Sequence, residues 1–127
     1  MRDAKKDSEI AEEEVTPPVL LFYDNLMFGV QLHNMARQAG QQYITVKPGL
    51  PLPEGSLLVV DIDARSDWES AIRDATKRGL PVVAFGPHTN TEARKRAKEA
   101  GASRVLANGN LTRDLPAILR SLGESGE

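Results

Sequence analysis

The stretch VVAFGPHTNTEARKRAKEAGASRVLANGNLTRDLPAIL, Val82–Leu119, decides the fold. It opens on an unbroken apolar run, Val82–Phe85, with the length and β-branched content of a strand buried on both faces. Thr89-Asn90-Thr91-Glu92 then has the spacing of a capping box, in which hydroxyl and carboxylate satisfy each other's free backbone donors at a helix start. The helix that follows ends at Gly101, where a left-handed residue is needed. A second apolar run, Arg104–Ala107, comes next. A last helix is predicted from near Thr112 to Gly123, with Pro116 tolerated in a first turn whose N–H groups are unbonded anyway. Strand, helix, strand, helix in this order is the signature of a parallel sheet.

The same alternation extends upstream, with strands expected at Val19–Tyr23, Tyr43–Lys47 and Leu57–Asp61. A first helix starts at the N-cap Asn25, turns Phe28, Leu32, Met35, Ala36 and Ala39 to one side, and stops at Gly40. A second opens on Ser66-Asp67-Trp68-Glu69, again at capping-box spacing, and ends at Gly79 before Pro81. One connection departs from the pattern. KPGLPLPEGS, between the second and third strands, carries three prolines that forbid a helix. A parallel crossover normally takes a dozen or more residues and a helix. An extended link of this length reaches on the order of 30 Å, enough to return along a strand. Leu50 and Leu52 are then expected to cover what a helix would cover, leaving part of one sheet face thinly protected.

Composition narrows the class. At 127 residues, 40% hydrophobic and 27% charged, the chain reads as one ordinary globular domain. It has no cysteine, which removes disulfides, thiolate nucleophiles and sulfur-ligated zinc. His33 and His88 are the only histidines, and His33, beside Asn34 and off the apolar stripe, reads as exposed. A net charge of -2 gives no general attraction to nucleic acid. No apolar run is long enough to cross a bilayer and no signal segment opens the chain, so a cytoplasmic location is expected. Residues 1–18, charged and closed by Pro17-Pro18, read as a mobile tail whose acidic end, Glu12–Glu14, is solvated. The domain is expected over 19–122, with 123–127 a short C-terminal tail.

Laid out in this way, Val19–Leu122 resembles the receiver domain of two-component response regulators. The AGAS turn, the strand after it and the final helix carry the likeness, as does the opening unit LLFYDNLMFGVQLHNMARQAG. The resemblance implies a flavodoxin-like α/β three-layer sandwich, with a five-stranded parallel sheet in the order 2-1-3-4-5. Here the helix between strands 2 and 3 is missing. It also implies a site. Receivers place two acidic residues after the first strand, a phospho-accepting aspartate at the end of the third, a hydroxyl after the fourth, a lysine after the fifth, and an aromatic switch residue on the fifth. Position by position, Tyr23 and Asp24 stand at the acidic places, Asp61 at the acceptor, Gly86 at the hydroxyl, Asn108 at the lysine and Val105 at the aromatic switch.

These substitutions matter chemically. An aspartyl phosphate at Asp61 would set roughly two negative charges beside Asp24 and Asp63, with no lysine to offset them. Gly86 has no side chain to move, so a two-state readout loses its moving part. The expectation is a pseudo-receiver that signals through protein contact, is not an enzyme and needs no cofactor. The plainer reading of Asp61 is a carboxylate ending a buried strand. Two alternatives stand beside it. One is a phospho-accepting response regulator using Asp61 and Mg2+, the ion held by Asp24, Asp61 and Asp63 as hard oxygen ligands. The other is a small-molecule or nucleotide binder at the strand ends, where His88, Thr89 and Asn90 precede a helix.

Partners are expected to be another protein or a second copy, not a membrane. Nucleic acid is not expected, because no aromatic residue interleaves the basic run Arg94, Lys95, Arg96 and Lys98. One candidate surface combines that helix, through Arg94, Lys95 and Lys98, with the fifth strand and last helix, the face the resemblance implies for dimerisation. The other is the bare crossover, through Leu50, Leu52 and Trp68. For Trp68 the sequence leaves two roles open, anchoring an interface or covering the crossover.

Overall fold

A computed structural model describes residues 16–124; the expected tail residues 1–15, with Glu12–Glu14, and residues 125–127 lie outside the described part. The order is β1 (Val19–Phe22), α1 (Leu26–Gln38), β2 (Tyr43–Thr45), β3 (Leu57–Asp61), α2 (Trp68–Lys77), β4 (Val82–Gly86), α3 (Thr91–Ala100), β5 (Arg104–Ala107) and α4 (Asn108–Glu124). The strands form one parallel sheet in the order β2-β1-β3-β4-β5. This is the flavodoxin-like arrangement expected, with no helix between β2 and β3.

Strand side chains alternate between faces, so the continuous apolar runs serve two core layers at once. Leu20, Phe22, Leu58, Val60, Val82 and Ala84 pack with Trp68, Ile72 and Ala97 on the side of α2 and α3. Val19, Leu21, Leu57, Val59, Val83 and Phe85 pack with Leu32, Met35, Leu111, Leu115 and Leu119 on the side of α1 and α4.

Four of the boundaries that differ from expectation do so for local reasons. The caps of α2 and α3 sit one residue later than the predicted boxes. Asp67 accepts from the Ser70 N–H at 3.0 Å, and Asn90 from the Ala93 N–H at 3.1 Å. Strand β2 ends at Thr45, because Val46 gives its last bond to the Leu21 carbonyl (2.8 Å) and Pro48 has no N–H to continue. The last helix starts at Asn108, directly after β5, and not near Thr112. Asn108-Gly109-Asn110 are poor helix formers and read as a loop. Pro116 therefore stands in the helix interior, where it costs about 3 kcal/mol. Leu111, Leu115 and Leu119, spaced four apart and almost fully buried, hold the helix to the sheet regardless.

The crossover is pinned, not loose. Pro48 and Gly49 form a turn closed by the Leu50 N–H on the Lys47 carbonyl (3.3 Å), with Gly49 at φ 85°. That turn throws Leu50 into solvent, 61% exposed, so it does not cover the sheet as expected. Leu52 alone does so, at 5% exposure. Its N–H meets Asp74 Oδ2 at 3.3 Å and its carbonyl accepts from Arg78, both on or next to α2.

Trp68 is buried in the same layer, so its side chain packs in the core. Arg96 of the basic helix lies over its ring at 5.1 Å and bonds Glu69 at 2.6 Å, while Glu69 also takes Arg73 at 3.0 Å. Part of the basic run thus clamps α3 to α2.

Candidate functional site

Asp61 ends β3 with 3% of its surface exposed, the one buried charged residue among those described. Parallel strands release their last residues at the carboxyl edge of the sheet, and here Asp61 lies beside Phe85 of β4. Its Oδ1 accepts the Asp63 N–H at 2.8 Å. Burial pushes its carboxyl above the ordinary value; the Asp63 N–H bond opposes this, and the charges of Asp63 and Asp24 add to it. The cleft above it, about 500 Å³, is lined by Asp24, Asn25, Phe28, Asp61, Asp63, Ala64 and Arg65.

The two acidic neighbours of Asp61, Asp24 and Asp63, line the same cleft. Asp24 follows β1 and turns its oxygens to the loop after β3, accepting the Arg65 N–H at 2.7 Å and the Ser66 hydroxyl at 3.4 Å. No group of three or more His, Cys, Asp or Glu among the described residues is disposed to hold a metal ion. Asp24 thus serves as a tie between β1 and that loop.

Tyr23 points away from the cleft. Its hydroxyl lies 3.1 Å from His33 Nε2 and 3.2 Å from Thr45 Oγ1, and its ring lies over Gly29, where a Cβ would strike it. His33 is half-buried and stacks on Tyr43 at 4.5 Å, so the exposed position expected for it is wrong. Its offset from the apolar stripe turned it toward a polar cluster at the β2 edge, not toward water.

Gly86 ends β4 with its Cα facing Ile62. An added Cβ would come within 2.7 Å of Ile62 Cγ1, and Ile62 is itself buried and fixed by its N–H on the Phe85 carbonyl at 3.0 Å. Asn108 opens α4 with its Oδ1 buried and without a hydrogen-bond partner among the described residues. Val105 is half-buried against the α2–α3 layer. His88 and Thr89 are exposed, and Asn90 spends its side chain on the α3 cap.

The interaction candidates divide. Lys95, Lys98 and Leu50 are exposed, Arg94 is half-buried, and Leu52 and Trp68 are buried in the core and present no side chain to a partner. Two features escaped the sequence reading. Arg65 brings a cation to the lip of the acidic cleft, a placement its closeness to Asp61 in sequence could have suggested. Leu26, Met27 and Val30 stand 78%, 70% and 60% exposed on α1. They share a helix face distinct from the Leu32–Met35 stripe, and apolar residues off the core stripe were the available signal.

No protein-family model and no curated protein matches the chain. Solved structures do. The receiver domain of a sensor histidine kinase from Pseudomonas aeruginosa, described with magnesium in its active site cleft, is 21% identical over 87% of this chain and 99% of its own, with a TM-score of 0.71. The receiver domain of a histidine kinase from Syntrophus aciditrophicus is 18% identical over 87% and 92%, with a TM-score of 0.71. A Francisella response regulator receiver domain is 16% identical over 88% and 100%, with a TM-score of 0.69.

The chain has the receiver fold.

Within that receiver fold, the strand ends sit where the sequence alignment put them: Asp24 after β1, Asp61 at the end of β3, Gly86 at the end of β4 and Asn108 just past β5. Identity this low shows the fold alone, and the side chains at those strand ends must speak for function.

Proposed function

We propose that the chain is a receiver-type signalling module, without catalysis of its own, that works by protein contact and not by phosphorylation of Asp61. One observation supports this reading: the strand-end position at which receivers carry a hydroxyl is Gly86, and a Cβ there would come within 2.7 Å of the buried Ile62 Cγ1. Transfer of a phosphoryl group needs donors and cations poised on the moving oxygens. The cleft at Asp61 is lined by Asp24, Asp63, Asn25, Phe28, Ala64 and Arg65, and the charges that bear on Asp61 are those of Asp63 and Asp24. The cation at the lip, Arg65, is the feature that favours the competing reading of a working phospho-acceptor.

Contact is proposed through the exposed apolar face of α1, Leu26, Met27 and Val30, which adjoins the acidic cleft through Asn25 and Phe28. Exposed Lys95 and Lys98 offer a second, basic surface. The functional domain is taken as 19–122. No helix among the described residues is long and apolar enough to cross a membrane, and a cytoplasmic location is proposed with that in view.

Incubation with acetyl phosphate and magnesium, followed by intact mass, tests the reading. The expected result is an unchanged mass. A phosphate-sized gain that Asp61→Asn abolishes would establish the phospho-acceptor in its place.

A further inference from the structure

The β2 edge of the sheet carries nothing among the described residues, and its backbone shows what would fit there. Gln42 gives its carbonyl to the Val19 N–H (2.8 Å) and Val46 gives its N–H to the Leu21 carbonyl (2.8 Å). A parallel ladder uses every second residue on a given side. Ile44 therefore faces β1, and the N–H and C=O groups of Tyr43 and Thr45 point outward. Water satisfies such a row in the free chain, and another extended strand can replace it.

The cleft face of this edge is mainly apolar and free of acidic groups. Ile44 and Leu50 are 42% and 61% exposed and line one shallow cleft of about 220 Å³ with Val46, Pro51 and Pro53. A receiver-like crossover helix is absent here, and the Pro48-Gly49 turn holds Leu50 outward beside the strand.

We infer that a second copy of this chain pairs with β2, antiparallel, about a two-fold axis at Ile44. The register follows from the outward groups. Tyr43 and Thr45 of one copy exchange both backbone bonds with Thr45 and Tyr43 of the other, and Ile44 meets Ile44 as the intervening non-hydrogen-bonded pair, where side chains approach most closely. The pairing is self-complementary in charge as well. Lys47, the one charged residue in the cleft lining, falls beside Gln41 of the second copy and not beside its own mate. Leu50 of each copy flanks the Ile44 pair on the same face. The inference stands apart from the reading of Asp61 and survives or fails independently of it.

Sedimentation velocity from about 10 µM to about 1 mM tests it, since an interface of this modest size is expected to dissociate on dilution. Wild type is expected to shift from monomer to dimer across that range. Ile44→Lys and Ile44→Glu, each setting like charges face to face, should each weaken association about tenfold. An equimolar mixture of the two should restore it, with circular dichroism showing both variants folded. Ile44→Cys should form an intermolecular disulfide in air about tenfold faster than Met27→Cys, in a chain that otherwise lacks thiols. A wild type that stays monomeric throughout, an Ile44→Lys variant that dimerises like wild type, or a Lys/Glu mixture without rescue would each overturn the pairing.

Discussion

Strands β3 and β4 are buried along their whole length, whereas β2 leaves Ile44 and Thr45 exposed and is followed by prolines instead of a helix. The centre has two layers to fill and every residue there answers to packing on one face or the other. The edge answers to packing on one side only, which frees its outer groups for other chains. The strand-end cleft is a third case: Asp61 stays at its strand end, while Ile62 lies where a Cβ at Gly86 would go.

The contrast can be broken most severely at the centre. Phe85→Ala, which removes a fully buried ring packed edge-on against Phe28, should cost about 3–5 kcal/mol in denaturant unfolding. Ile44→Ala at the edge should stay within about 0.5 kcal/mol under the same conditions. Equal losses would show that edge and centre are not distinct. Next in size is the crossover, where Leu52→Ala should cost about 2–4 kcal/mol and Leu50→Ala, only two residues away in sequence but exposed to solvent, about 0.5 kcal/mol or less.

Restoring the hydroxyl sharpens the comparison at the cleft. Gly86→Thr should destabilise by about 1–3 kcal/mol through overpacking against Ile62. Combined with Ile62→Ala it should cost about 1 kcal/mol or more below the sum of the two single changes. Simple additivity would show that the two side chains do not compete for one space.

The smallest effect is electrostatic. Burial, the leading cause, raises the folded-state value of the Asp61 carboxyl, so the native chain holds that proton after the unfolded chain has released it. The stability this gives is complete below the ordinary carboxylate range and is lost as pH rises through the folded value. Asp61→Asn removes the loss and keeps an oxygen for the Asp63 N–H. It should melt a few degrees above wild type at pH 7, with the difference closing in acid. A lower melting point at pH 7 would contradict this.

How much of this was legible in the residues follows the same division. Runs such as LLVV and VVAF announce buried parallel strands, and glycines at 40, 79 and 101 mark helix ends, because those signals are local. The start of α4 was hidden because Leu111, Leu115 and Leu119 override the poor propensity of Asn108-Gly109-Asn110 through contacts with the sheet. His33 was misplaced because its partners, Tyr23 and Thr45, arrive from two other strands. At the cleft the identities of Asp61, Gly86 and Asn108 could be read by position. That Asp24 turns to the Arg65 N–H, and that Ile62 fills the gap at Gly86, depends on directions no linear pattern records.

The central claim is that the cleft at Asp61 cannot take up and relay a phosphoryl-like charge. Amide spectra of the 15N-labelled chain, recorded with magnesium before and after addition of beryllofluoride, address it most directly. The account predicts superimposable spectra. Saturable shifts at the amides of Asp61, Gly86 and Val105 would contradict it.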